Sequence, residues 1–120
     1  MKIAINGFGR IGRMVLRSFV EQKVSNIQIV AINDLGSLSD NAHLFKYDSV
    51  HRIYPHSVES AAQTLKIKGI AIPVFSEKNP AQIPWRKLDT DVVLECTGKF
   101  TDTAGASLHL TAGAKKVILS

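Results

Sequence analysis

The stretch "KIAINGFGRIGR" at residues 2–13 restricts the possible folds more than any other part of the chain. "KIAIN" is a compact β-prone run, glycines follow at positions 7, 9 and 12, and "IGRMVLRSFVEQK" reads as a helix. Ile11, Met14, Val15 and Phe19 fall on one face of that helix at helical spacing, with Arg10, Arg13 and Arg17 on another. "IQIVAIN" at 27–33 follows as a second strand, apolar at nearly every position as a buried parallel strand is. Strand, glycine turn, helix and strand in about thirty residues make a βαβ unit.

The remainder extends this pattern. "LSDNAHLFKYD" at 38–48 reads as a short helix with Ser39 as its N-cap. Within 53–75, "TLKIKGIAIPVF" sets a Lys-Gly pair between apolar runs, which predicts a small antiparallel hairpin. "SEKNPAQIPW" is a proline-containing loop. "DVVLECT" at 91–97 is a further buried strand with Gly98 as its turn, "TDTAGASLHLTAGA" a helix despite two glycines, and "KKVIL" a closing strand. The fold class is α/β: a Rossmann-type, doubly wound and mostly parallel sheet with a small antiparallel hairpin insertion.

A chain of 120 residues is one domain or a piece of one, with 45% apolar residues to build a modest core. No run approaches the ~20 apolar residues that span a bilayer, so no membrane partner is expected. The net charge of +5 is scattered: the only adjacent basic pairs are Arg86-Lys87 and Lys115-Lys116, with no interleaved aromatic platform for bases. Nucleic acid is therefore not an expected partner. Lys2, Arg10, Arg13 and Arg17 give the first twenty residues the composition of a transit peptide, but three turn-forming glycines argue against an amphipathic presequence. Cys96 is the single cysteine and has no partner for an internal disulfide, as in a reducing compartment. His43, His51, His56 and His109 show no metal-ligand spacing with Cys96 or each other.

"GFGRIG" fits G-x-G-x-x-G in the setting that gives that pattern meaning, after a strand and opening a helix. Gly7 permits the tight turn, Gly9 lets the backbone approach a pyrophosphate, and Gly12 allows close packing of helix on strand. The helix N-terminus adds unpaired N–H groups and a partial positive charge. Asp34 ends the second strand at the spacing where an acidic residue accepts hydrogen bonds from an adenosine ribose. Its carboxylate repels a 2′-phosphate, and no basic residue follows in "LGSLS", so NAD is expected rather than NADP.

The ordered motifs "INGFGRIGR", "INDL", "KYDSVH", "PAQIPW", "ECTGKFT" and "GAKKVILS" closely resemble the glyceraldehyde-3-phosphate dehydrogenase family, over essentially all 120 residues. The resemblance implies a phosphorylating, NAD-dependent dehydrogenase of a triose phosphate, cytoplasmic and homotetrameric. It also implies that Arg10 and Ile11 sit under the pyrophosphate, Lys78 beside the adenine, Phe100 in the adenosine pocket and Ser120 near the nicotinamide carboxamide. Two positions depart from the family pattern: Lys78 stands where arginine is frequent, and Arg52 where "YDSVHG" has glycine. Erythrose-4-phosphate dehydrogenase shares the opening motifs and stays an alternative, with "NDL" around Asp34 favouring the triose enzyme.

The family's chemistry uses a nucleophilic cysteine, which forms a thiohemiacetal, and a histidine that activates it. The resemblance maps neither onto Cys96 or onto any of the four histidines, so no catalytic residue is assigned. The 120 residues are expected to be the NAD-binding domain, truncated before the catalytic domain and inactive alone, with triose phosphate and inorganic phosphate engaged only by the complete enzyme. A non-catalytic nucleotide-binding or oligomerising module is the alternative. The "KKVILS" strand would end such a fragment as an unfinished sheet, an aggregation hazard.

Overall fold

Strand β1 (Lys2–Asn6) lies inside the sheet, with parallel neighbours on both sides. The computed structural model describes residues 1–22, 26–35, 58–61, 64–67, 70–97 and 103–119. The helix expected at 38–48 with Ser39, the Lys68-Gly69 pair, Arg52, Gly98, Phe100 and Ser120 lie outside the described residues.

After helix α1 (Arg10–Gln22) the chain returns as β2 (Gln28–Asn33) beside β1. Strands β3 (Val58–Ala61), β4 (Thr64–Ile67) and β5 (Ile70–Phe75) continue outward on that side. The chain then crosses to the other side of β1 for β6 (Val92–Glu95) and, after helix α2 (Thr103–Thr111), β7 (Lys116–Leu119). The order β3-β4-β5-β2-β1-β6-β7 is that of a doubly wound parallel sheet with an antiparallel extension.

The expected hairpin is β4–β5, where Ile67 pairs with Ile70 across the two intervening residues. β3 adds a third antiparallel strand that the sequence did not resolve. β5 belongs to both parts of the sheet: Ile70 to Pro73 pair antiparallel with β4, and Val74 and Phe75 pair parallel with β2. Pro73 stands at the changeover, where a residue with no N–H is least costly to a ladder.

The sheet is covered on both faces. One core gathers Ile5, Phe8, Leu16, Val20, Ile29 and Ile32 under α1, with Leu65, Ile67 and Ile72 from the hairpin. The other gathers Ala4, Val30, Ala31, Val93 and Ala114 around Ile83 and Trp85. The ladder of β1 and β2 slips by one residue between Ile3 and Ala4, which puts Val30 and Ala31 in the same core.

Helix α1 buries only part of the face expected of it: Val15 and Phe19 pack, partly buried, against the core. Ile11 and Met14 are exposed, whereas Gly12, Leu16, Val20 and Arg17 are buried. The cause is Gly12: a Cβ there would meet the Gly7 carbonyl oxygen, and Ile5 Cγ2 at 3.2 Å. Glycine lets the helix lean onto β1 at that point, and the row four and eight residues on then faces the sheet. The closest approach, not the bulkiest side chains, sets the rotation. α2 ends in a Schellman motif: Gly113 has φ +115°, its N–H donates to Leu110 O at 3.0 Å, and Ala114 N–H donates to His109 O at 3.1 Å.

At the amino ends of the strands, Asp91 joins β1 to β7. Its Oδ2 accepts the Lys2 N–H at 2.8 Å and its Oδ1 accepts from Lys115 Nζ at 3.1 Å. The Lys2 N–H, then the Lys115 ammonium, hold the Asp91 carboxyl below the usual carboxylate range. A folded-state value below the unfolded one stabilises fully above the ordinary carboxylate range, and that contribution is lost as pH falls through the lowered value. Asp91→Asn is therefore expected to lower the melting temperature modestly at neutral pH, with the gap to wild type closing in acid. Melting curves at pH 7 and in acid check this; a gap independent of pH overturns it.

Candidate functional site: a crevice at the strand ends

Strands β1 and β6 are neighbours, but the chains leaving their carboxyl ends run to opposite sides of the sheet. Such a switch point opens a crevice outside the strand ends. A cavity of 460 Å³ occupies it, lined by Asn6, Gly7 and Gly9 after β1, Asn33 to Leu35 after β2, Glu77 and Lys78 after β5, and Cys96 and Thr97 after β6.

The three glycines have different reasons to be glycine. Gly7 has φ +96°, and its missing Cβ would lie 2.7 Å from Thr97 Cγ2 and 2.9 Å from the Cys96 carbonyl carbon. Gly12 is required by the packing of α1 on β1 described above. A Cβ on Gly9 would meet nothing within 4 Å. The protein itself does not need glycine there, and Gly9 lines the cavity.

Gly9 is also the N-cap of α1, its carbonyl accepting from Arg13 N–H at 2.9 Å. The first turn carries no acidic side chain, so its free N–H groups and the helix dipole have no counter-charge from the turn itself. Asp34 Oδ1 accepts the Phe8 N–H at 2.8 Å, which ties the glycine loop to the end of β2. Arg13 braces the same loop by donating from Nη1 to Phe8 O at 3.0 Å. The expected residues Gly7, Gly9, Asp34 and Lys78 thus meet at one cavity. Arg10 and Ile11 are exposed on the first turn beside it, and Gly12 lies buried beneath.

Sequence reasoning missed a row of buried polar side chains at the strand ends beside the cavity. Asn6, Asn33 and Glu95 are 2%, 3% and 2% exposed, and each is the last residue of its strand. That pattern was the available signal, since a buried polar residue needs a hydrogen-bond partner. Asn33 Nδ2 donates to Asn6 Oδ1 at 2.7 Å, and Asn6 Nδ2 donates to Glu95 Oε1 at 2.8 Å. His109 is fully buried, and its Nδ1 accepts from Trp85 Nε1 at 2.9 Å. Cys96 is half-buried on the cavity wall, and its N–H donates to Asn6 O at 2.8 Å. Among the described residues, no group of three histidine, cysteine, aspartate or glutamate side chains could hold a metal.

A doubly wound sheet, a glycine loop opening a helix, a carboxylate ending β2 and a cavity at the switch point define a dinucleotide-binding domain. Residues 1–103 match the family described as glyceraldehyde 3-phosphate dehydrogenase, NAD binding domain. The chain belongs to that family, and its cofactor is NAD. It is 52% identical over 120 residues to the glyceraldehyde-3-phosphate dehydrogenase of Zymomonas mobilis, covering all of this chain and 36% of that one. The same identity and coverage hold over 121 residues for the enzyme of Pseudomonas aeruginosa. For that of Mycoplasma pneumoniae the identity is 52% over 120 residues, all of this chain and 35% of the relative. The chain thus spans about a third of the length of these relatives. No described helix is long and apolar enough to cross a membrane.

Proposed function

We propose that these 120 residues bind NAD for a phosphorylating glyceraldehyde-3-phosphate dehydrogenase, which oxidises a triose phosphate aldehyde with inorganic phosphate as co-substrate. The observation that carries the binding site is Gly9: open space above its Cα, at a helix N-terminus without an acid, is what an incoming pyrophosphate requires. Asp34, anchored through one oxygen to Phe8, stands at the strand end where a ribose is held. In this reading Gly7, Gly9, Gly12, Arg10 and Ile11 form the phosphate cradle, and Lys78 and Phe100 flank the adenosine. Ser120 approaches the nicotinamide carboxamide.

When bound, NAD accepts the hydride lost by the aldehyde. This stretch contributes binding and orientation rather than nucleophile or base. Cys96 sits partly buried just after β6, and both ring nitrogens of His109 face buried partners, Trp85 and Glu95. We place the thiol nucleophile and its histidine in sequence outside these 120 residues, and expect the stretch alone to bind NAD without turnover. The homotetramer and the cytoplasm are proposed on family membership, together with a single cysteine in the 120 residues, which leaves no disulfide within them.

Titration with NAD, NADP and ADP-ribose by calorimetry tests the site. Gly9→Ala is expected to leave the melting temperature within a degree or two, since its methyl meets no atom of the protein. The same change is expected to weaken NAD by about tenfold, the equivalent of about 1.4 kcal/mol. Unchanged NAD affinity in that variant would remove the pyrophosphate from this position.

A further inference from the structure

Asn33, Asn6 and Glu95 stand in register on three adjacent parallel strands, Asn6 pairing with Asn33 on one side and Glu95 on the other. Their side chains form one hydrogen-bonded row that ends on a carboxylate. The Glu77 N–H donates to Asn33 Oδ1 at 2.9 Å, Asn33 Nδ2 to Asn6 Oδ1 at 2.7 Å, and Asn6 Nδ2 to both Glu95 oxygens at 2.8 and 3.1 Å. The direction follows from chemistry: a carboxylate only accepts, so Asn6 turns its NH₂ toward Glu95 and its oxygen toward Asn33. Asn33 Nδ2 also donates to Glu77 O at 3.0 Å, so one amide grips both main-chain groups of Glu77.

Two further donors converge on the same carboxylate. Thr97 Oγ1 lies 3.3 Å from Glu95 Oε1. The Trp85 indole can only donate, so His109 Nδ1 carries a lone pair and the ring proton sits on Nε2, 3.5 Å from Glu95 Oε1. Glu95 itself does not line the cavity, yet Asn6, Asn33, Glu77 and Thr97 all do.

We infer that Glu95 is a positioning residue for the cofactor site: its buried carboxylate polarises the Asn6–Asn33 row, which holds the Glu77–Lys78 segment on the adenosine side in register with Thr97 across the switch point. The inference rests on the NAD-binding reading above. Hydrogen bonds in a low-dielectric row reinforce one another, so the charge at one end is felt at the other. Glutamine at position 95 keeps one oxygen for Asn6 Nδ2 but sets a donor against it where the second oxygen now accepts, and it removes the charge that ends the row. The consequence is specific: a ligand carrying only the adenosine half should sense a change at Glu95, although β1 separates Glu95 from Asp34 in the sheet.

The test titrates the intact protein and its Glu95→Gln variant with AMP and with NAD, alongside circular dichroism. AMP is expected to bind about tenfold more weakly to the variant, with NAD weakened at least as much and the fold retained. Equal AMP affinity in a folded variant overturns the inference and reduces Glu95 to a prop under β6. Should Glu95→Gln not fold, Glu95→Asp keeps the charge but shortens its reach to Asn6, with the same tenfold loss expected for AMP and the same reading of no loss. Wild type that binds neither ligand removes the cofactor reading, and with it this role for Glu95. Wild type that binds both, with a variant that binds AMP unchanged, removes only this inference.

Discussion

Gly7→Ala is expected to yield no folded domain at 25 °C. The residue sits at φ +96°, where an L-side chain costs about 1–2 kcal/mol by itself. The larger cost is steric, because the new methyl would lie 2.7 Å from both the amide nitrogen and Cγ2 of Thr97 and 2.9 Å from the Cys96 carbonyl carbon. Two of these three atoms are main chain of the segment following β6, so relief requires β1 and β6 to part. Those strands carry the centre of the sheet and both cores. Against a total stability of about 5–15 kcal/mol, opening that junction is decisive. Circular dichroism with urea denaturation checks the expectation, and Gly9→Ala, two residues away, is its control. A Gly7→Ala protein with a wild-type midpoint would mean that the loop has another conformation.

Trp85→Ala is expected to cost about 3–5 kcal/mol, as truncation of a large buried aromatic does. The side chain is fully buried against Ala4, Val30, Ala31, Ile83 and Val93. Trp85→Phe separates packing from polarity: it refills most of the volume but leaves His109 Nδ1, now 2.9 Å from the indole nitrogen, without its donor. An unsatisfied buried acceptor costs about 1–3 kcal/mol, so the phenylalanine variant should fall between alanine and wild type. Urea midpoints for the three proteins decide; equal midpoints for phenylalanine and wild type would mean the Trp85–His109 bond contributes nothing.

The β-α-β opening was legible because each element carries its own local signal. An apolar run without alternation, glycines at fixed spacing and a helical repeat gave β1, the loop, α1 and β2, and Lys-Gly between apolar runs gave the β4–β5 hairpin. The rotation of α1 was not legible. Counting apolar residues selects Ile11 and Met14, yet both are exposed, because contact between Gly12 and β1 decides which row faces inward. A contact between elements leaves no period in either. The site divided along the same line. Gly7, Gly9 and Asp34 belong to one continuous motif and could be read from spacing, whereas Asn6, Asn33 and Glu95 are 27 and 62 residues apart and meet only through strand register. Their shared trait, one polar residue closing each buried strand, becomes a signal once the strands are aligned.

The shared strand β5 has a consequence for how this domain can vary. Val74 and Phe75 pair with the parallel sheet, while Val58–Ala61, Thr64–Ile67 and Ile70 to Pro73 pair within the antiparallel extension at the far edge. Its side chains in the α1 core are Leu65, Ile67 and Ile72, and among the described residues none of β3, β4 or β5 lines the cavity. A peptide epitope or an affinity handle grafted there is thus expected to leave the crevice floor as it is.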